Sequence, residues 1–331
     1  MRDNRKAVPF MKEKSYYRLF QGSINGSELI RSMRIGSLPH CFLVSAAIII
    51  CVILFPCISC SDGQSLPEDL ILESTPQPFP FPNPERNDTA NPYRYIAHAG
   101  GVYNGLTYTN SREAMDVSAL KGFKLFELDL IMTRDNEIVA AHDWNYWKTI
   151  SGYTGDLPPT LSDFMSVPLH GSLNPLTLTD IAVWFSTHED TILITDKITD
   201  YEKLATEFPF PERLMAEVFT LNGYVHALEA GIRYPLISLE AAHSGYRGEW
   251  LRLFINQNRI PLAVLGVEST DFFTHEIDLI NGHGGFVFAF TSNDPAYLSY
   301  HPDLFGIYTD TINFTAMTNE SIRADSPVFD D

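Results

Sequence analysis

Cysteine is scarce in this 331-residue chain: there are four, Cys41, Cys51, Cys57 and Cys60, and none after residue 60. Whatever folds beyond that point contains no disulfide and no thiolate metal site. Basic residues are few as well, 23 Lys and Arg against 41 Asp and Glu, and unevenly spread. The first 40 residues hold eight basic and three acidic residues, which leaves 15 against 38 for the rest. An acidic excess on this scale repels polyanions at long range, so DNA and RNA are excluded as partners. One uncharged apolar run reaches membrane-spanning length, residues 41–60. With the basic segment 1–40 ahead of it, a helix here would keep the N-terminus in the cytoplasm and put residues 61–331 outside. A start at Met33 offers a rival, in which Cys60 follows small Ser59 where a lipoprotein is lipidated, although Cys57 stands where an aliphatic residue is usual. Both readings stay open, and both tether an extracytoplasmic domain to a membrane.

Residues 61–92 carry seven prolines, which favours extended backbone and predicts a semi-rigid linker. Residues 93–325 are then long enough to bury a core without disulfides. Short apolar runs alternate there with helical patterns. Strands are predicted at 94–98, 124–130, 191–197, 214–219, 235–239, 262–267, 286–291 and 305–309, with helices at 223–230, 249–258 and 274–281 among them. Eight parallel strands with intervening helices predict an α/β (β/α)8 TIM barrel. The stretch 144–190 is too long for a simple connection, so it is predicted to be an insertion with one helix, after Thr179, over the barrel mouth.

Residues 123–144 carry the strongest local signal. The alternation of Phe126-Glu127-Leu128-Asp129-Leu130 puts Glu127 and Asp129 on one face of a strand, where two carboxylates repel unless a cation neutralises them or one keeps a proton. Asp135 and Asn136 suit a tight turn, so residues 137–142 return antiparallel as a hairpin extension of the second strand. Counting outward from that turn, His142 comes level with about Asp129. Glu127 paired with a lysine and His142 as an ordinary surface histidine is the plain alternative. Upstream, residues 95–101 form a short apolar strand ending in His98 and two glycines after Ala99, as at an open site where backbone approaches a ligand. Polar residues collect at the other predicted strand ends too, among them Glu217, Glu240, Glu268 and Asp310, where barrels keep their chemistry.

His98 with Gly100, then Asn110-Ser111, Glu127 with Asp129, and His142-Asp143 form an ordered set that resembles the glycerophosphodiester phosphodiesterase family, related in fold to the phosphatidylinositol-specific phospholipases C. The resemblance covers residues 93–313, with weaker matches at 288–293 and 306–310. It implies a TIM barrel with catalytic histidines His98 and His142 and a divalent cation, Mg²⁺ or Ca²⁺, on Glu127, Asp129 and a third acid. The family has that acid as a glutamate two residues before a lysine; here Thr195 stands two before Lys197, so Asp196 is the expected third ligand and Glu217 the reserve. Lys197, Asn110, Asn293 and Asp310 are the expected substrate-binding residues, Asn110 also as a helix cap boxed with Glu113. Two departures stand out: Ala99 replaces an arginine that would clamp phosphate, and Thr109 replaces an acid.

The expected activity is metal-dependent hydrolysis of a glycerophosphodiester-like bond in a small molecule, a lipid headgroup or a phosphate-linked polymer, with the histidines as general acid and base. A non-catalytic barrel that binds a headgroup or glycan is the alternative that Ala99 supports. A glycosidase is a further one, disfavoured because acids two apart on one strand cannot flank a sugar bond from opposite sides.

Overall fold

The computed structural model describes residues 65–77, 81, 88, 90–245 and 248–312. The basic segment, the apolar run 41–60 and the end of the chain lie outside the described residues, and no described helix is long and apolar enough to cross a membrane.

Eight strands form the barrel: β1 (Tyr95–Ala97), β2 (Leu125–Met132), β4 (Ile192–Asp196), β5 (Leu214–Val218), β6 (Tyr234–Ser238), β7 (Leu262–Gly266), β8 (Phe286–Phe290) and β9 (Gly306–Thr309). Each pairs in parallel with its neighbours, and β1 pairs with both β9 and β2, which closes the sheet. The strands are nearly continuous apolar runs because both faces are covered. Alternate residues Ile96, Leu125, Ile194, Met215, Leu236, Val264 and Phe288 fill the interior. Their neighbours Ala97, Phe126, Leu193, Ala216, Ile237, Ala263 and Val287 belong to the outer core under the helices. Those helices are α1 (Arg112–Leu120), α4 (Leu178–Ser186), α5 (Tyr201–Glu207), α6 (Leu221–Glu229), α7 (Leu239–Gly245), α8 (Gly248–Asn258), α9 (Thr274–Gly282) and the short α10 (Tyr297–Tyr300).

β3 (Ile138–Ala140) is the single antiparallel strand among those described and completes the hairpin with β2. Leu130 pairs with Ala140, and the Ala141 amide donates to the Asp129 carbonyl at 2.9 Å, so His142 falls opposite Leu128, one residue from the expected level.

The insertion departs from its prediction. It contains three helices, α2 (Trp144–Ser151), α3 (Leu161–Met165) and α4, the last starting at a Thr177–Asp180 capping box rather than after Thr179. Trp147, Phe164, Leu169 and Leu173 give it a small core of its own with Val139 and Ala141 of the hairpin. The stretch needs the extra helices because that many apolar side chains cannot be buried by one.

Described parts of the predicted linker 61–92 touch the barrel. Leu66 and Leu70 are buried in the outer core, and the Asn258 side chain holds that segment by accepting from the Leu72 amide and donating to the Leu70 carbonyl. Phe81 enters the interior cluster from the strand-start end, stacked on Phe305 at 5.8 Å and 5.4 Å from Tyr93. Three apolar side chains among the prolines therefore dock this segment onto the barrel.

Candidate active site

The interior changes character at the C-terminal ends of the strands. Below, inward positions are aliphatic or aromatic; in the last inward step five of the eight strands bring His98, Asp129, Asp196, Glu217 and Asp310, with Glu127 one step deeper on β2, while β6, β7 and β8 bring Ser238, Gly266 and Phe290. Alternation along β2 gives Glu127 and Asp129 the same face, and both are buried.

Backbone wraps Glu127. Ala99, Gly100 and Gly101 all have positive φ, at 48°, 82° and 96°, and this turn aims the Ala99 amide at Glu127 Oε2, 2.8 Å away. The Ala99 side chain is completely buried. Asp129 is held from two sides. Asn110 donates its amide to Asp129 Oδ2 at 2.7 Å and accepts from the Asp129 backbone amide at 3.0 Å, while the Lys197 ammonium bonds Oδ1.

Lys197 reaches that position because its own φ is +62°. Strict alternation would send Asp196 and Lys197 to opposite faces; the left-handed turn at the strand end lets both side chains serve the same site. Glu127, Asp129 and Asp196 each bring one carboxylate oxygen within 4.8 Å of the others.

These acids do not share one electrostatic fate. Burial, reinforced by Asp129 and Asp196, drives Glu127 well above the usual carboxylate range. Burial would raise Asp129 too, but the charges of Lys197 and His142 and the hydrogen bonds from Lys197 and Asn110 bring it down to about 2. Burial pushes Asp196 up to about 7, with Lys197 opposing and Asp129 adding. The Asp196 Oδ1 atom is buried without a hydrogen-bond partner. An all-oxygen set with an orphaned oxygen and two carboxyls reluctant to ionise fits a hard divalent cation.

The histidines border this trio. His98 lies with Nε2 3.9 Å from Glu127 Oε2, and its Nδ1 is 2.9 Å from Asp310 Oδ1. His142 pairs through Nδ1 with Asp143 Oδ2 at 2.8 Å, and the other oxygen of Asp143 caps α2 by accepting from the Asn145 and Tyr146 amides. Tyr108 stands against both rings, 4.7 Å from His98 and 5.7 Å from His142.

Three of the expected substrate-binding residues have protein partners in this structure. Asn110 is committed to Asp129 and does not cap α1; Ser111 does, accepting from the Ala114 amide, and Glu113 instead bonds Asn174. The helix begins one residue later than predicted, which frees Asn110 to turn inward at φ 50°. Asn293 accepts from the Asp310 and Thr311 amides and the Thr309 hydroxyl and donates to Asp310 Oδ2 at 3.3 Å. Asp310 is pinned by Asn293 and turned toward His98.

Tyr108 and Tyr308 belong to the site and were not anticipated. Tyr308 donates its phenol to Glu217 Oε1 at 2.7 Å in the buried interior. Its sequence signal was alternation: it lies two residues before Asp310 and shares its face. Tyr108 gave none beyond proximity to Asn110.

No protein-family model matches the sequence, and a search of curated proteins finds no relative. Solved structures do match the fold, and many of them are glycerophosphodiester phosphodiesterases. A glycerophosphoryl diester phosphodiesterase from Parabacteroides distasonis aligns at a TM-score of 0.54 and 20% identity, over 77% of this chain and 95% of its own. The Thermotoga maritima glycerophosphodiester phosphodiesterase gives 0.53 at 15% identity, covering 69% of this chain and 97% of its own. An Oleispira antarctica phosphodiesterase in complex with the product sn-glycerol-3-phosphate gives 0.53 at 17%, covering 69% and 96%. At such identities the likeness establishes a common (β/α)8 fold.

Proposed function

We propose that this chain is a metal-dependent phosphoric diester hydrolase acting on a glycerophosphodiester-like bond. The observation that carries the reading is the convergence, at the mouth of a barrel shared with phosphodiesterases, of three carboxylates and two histidines, each histidine held by an aspartate.

Glu127, Asp129 and Asp196 would hold the cation, Mg²⁺ or Ca²⁺, which when bound neutralises phosphate charge and lowers the barrier to attack. His98 and His142 do the proton work. One takes the proton of a substrate hydroxyl as it attacks phosphorus, and the other delivers a proton to the departing alcohol oxygen. The product of that step is a cyclic phosphate, and the same pair working in reverse roles lets water open it to a monoester. Asp310 and Asp143 keep each ring on one tautomer with Nε2 toward the reacting atoms. Lys197, bonded to Asp129, supplies fixed positive charge beside the anion where the arginine is missing.

The buried Ala99 also favours a second reading, a barrel that binds a phosphorylated headgroup without cleaving it. Release of phosphomonoester from a panel of glycerophosphodiesters, with and without divalent cation, separates the two. Under either reading the barrel lies outside the cytoplasm, tethered through residues 41–60. Protease added to intact cells should then release a soluble barrel cut ahead of residue 65; a domain protected until lysis would refute the topology. Loss of tethering in Cys60→Ser would identify the anchor as a lipid.

A further inference from the structure

The loop between β1 and α1 lies at the barrel mouth in an unusual backbone state. Tyr103 and Leu106 exchange backbone hydrogen bonds at 3.0 and 2.9 Å around Asn104 and Gly105, both at positive φ, which makes a tight hairpin. Beyond it Tyr108 sits at φ 57° and Asn110 at φ 50°. A left-handed aromatic residue is an outlier that persists only where surrounding contacts impose it, and such states cluster at active sites. Those contacts stand on both sides of Tyr108. The Thr107 carbonyl accepts from the Tyr146 phenol at 3.3 Å, and the Asn110 amide donates to the Ala99 carbonyl at 3.1 Å. The strained residue thereby sets its ring edge to face against two imidazoles, at 77° to His98 and 85° to His142. The bond between each Nδ1 and its aspartate fixes one edge of an imidazole, while packing against its faces sets its tilt about that bond. His98 also meets Tyr308 and His142 also meets Tyr146, but Tyr108 touches both histidines.

We infer that Tyr108 is a positioning residue shared by both histidines, one ring that sets the tilt of acid and base together and keeps each Nε2 aimed at the reacting phosphate. The plain alternative is a tyrosine that packs its loop and leaves the imidazoles where their aspartates put them. The inference rests on the hydrolase reading above, and its test has one arm that needs no turnover. Tyr108→Asn removes the ring with a residue that tolerates left-handed backbone. Tyr108→Leu keeps apolar bulk and serves if the asparagine variant folds poorly, and Tyr108→Phe keeps the ring. NMR of the full chain in detergent, with nitrogen-labelled histidine, follows the Nδ1–H signals, which His98→Ala and His142→Ala assign; steady-state kinetics are run on a glycerophosphodiester with divalent cation. In Tyr108→Asn and Tyr108→Leu the Nδ1–H signals of both histidines should broaden into solvent exchange as the rings pivot off their aspartates. Turnover should fall roughly 10- to 100-fold in kcat, as for a misplacement of about an ångström, with KM and cation affinity changed less than about threefold. Tyr108→Phe should recover most of that loss and restore both signals. Sharp wild-type signals in the ringless variants, a kcat within about twofold of wild type, or a phenylalanine variant as slow as the ringless ones would overturn the role of the ring. Absence of turnover by wild type, with both signals still lost in the ringless variants, would overturn the hydrolase reading and support the positioning.

Discussion

Asp310→Asn is the substitution most informative about His98, because the wild-type carboxylate is asked to accept on both oxygens. Oδ1 faces His98 Nδ1 at 2.9 Å and Oδ2 faces the Asn293 amide at 3.3 Å. An asparagine has one acceptor and one donor, so it satisfies only one of these partners. If its oxygen stays on His98, the Asn293 amide meets a donor and turns to solvent. The bond to His98 then loses its charge. Hydrogen bonds to charged groups are worth about 1.5–3 kcal/mol and neutral ones about 0.5–1.5, so roughly 1–1.5 kcal/mol of imidazolium stabilisation goes. The Asp310 side chain is only 13% exposed, so water screens little of this. That difference corresponds to about a tenfold loss in rate. If the amide nitrogen turns to His98 instead, Nδ1 must accept, Nε2 carries the proton, and the ring can no longer take one there. The loss is then larger. Turnover of Asp310→Asn should therefore fall at least about tenfold in kcat with cation affinity unchanged, since the metal-facing acids are untouched. A kcat within twofold of wild type would refute the positioning role of Asp310.

Cation affinity should depend on pH with a definite sign. Asp196 is held up to about 7 and Glu127 well above the ordinary range, so below neutrality the site holds protons that the ion must displace. Affinity should rise with pH and fall by about tenfold per pH unit per displaced proton on the acid side; isothermal titrations in buffers of different ionisation enthalpy measure the released protons, and a flat profile would contradict the shifts. Phe81→Ala should destabilise the barrel by about 3 kcal/mol, the lower end for a buried phenylalanine, read as a lower urea midpoint at constant m. A change under about 1 kcal/mol would mean that residues 65–92 act as the free linker that their prolines suggested.

The barrel was legible because its strands are apolar runs closed by polar residues. Predicted and observed limits differ by one or two residues, as for 191–197 against Ile192–Asp196. Alternation sufficed to place Glu127 beside Asp129, and the order of strands sufficed to bring His98 and Asp310 to the same rim. Harder cases share a cause: a local backbone state that alternation does not encode. Positive φ at Ala99, Asn110 and Lys197 redirects side chains that strand or helix periodicity assigned elsewhere. It turned Asn110 from a cap into a support of Asp129, and let Lys197 join Asp196. Prolines drew attention away from Leu66, Leu70 and Phe81, whose apolar surface decides where that segment goes. Tyr308 looked like a core residue and is one, except for the hydroxyl that meets Glu217.

The proposal is that the carboxylate trio and the two histidines cleave a phosphodiester together. Phosphorus NMR of purified protein with a glycerophosphodiester panel tests this most directly, comparing chelator, Mg²⁺ and Ca²⁺ for wild type, Glu127→Gln, His98→Ala and His142→Ala. Wild type should convert diester to monoester only with a divalent cation, and Glu127→Gln should give no detectable conversion. Each histidine variant should be slowed roughly a hundredfold or more, with one of them largely rescued on a nitrophenyl diester whose leaving group needs no acid. A wild-type protein that binds the cation and a diester yet leaves every diester intact would contradict catalysis and leave the binding reading in its place.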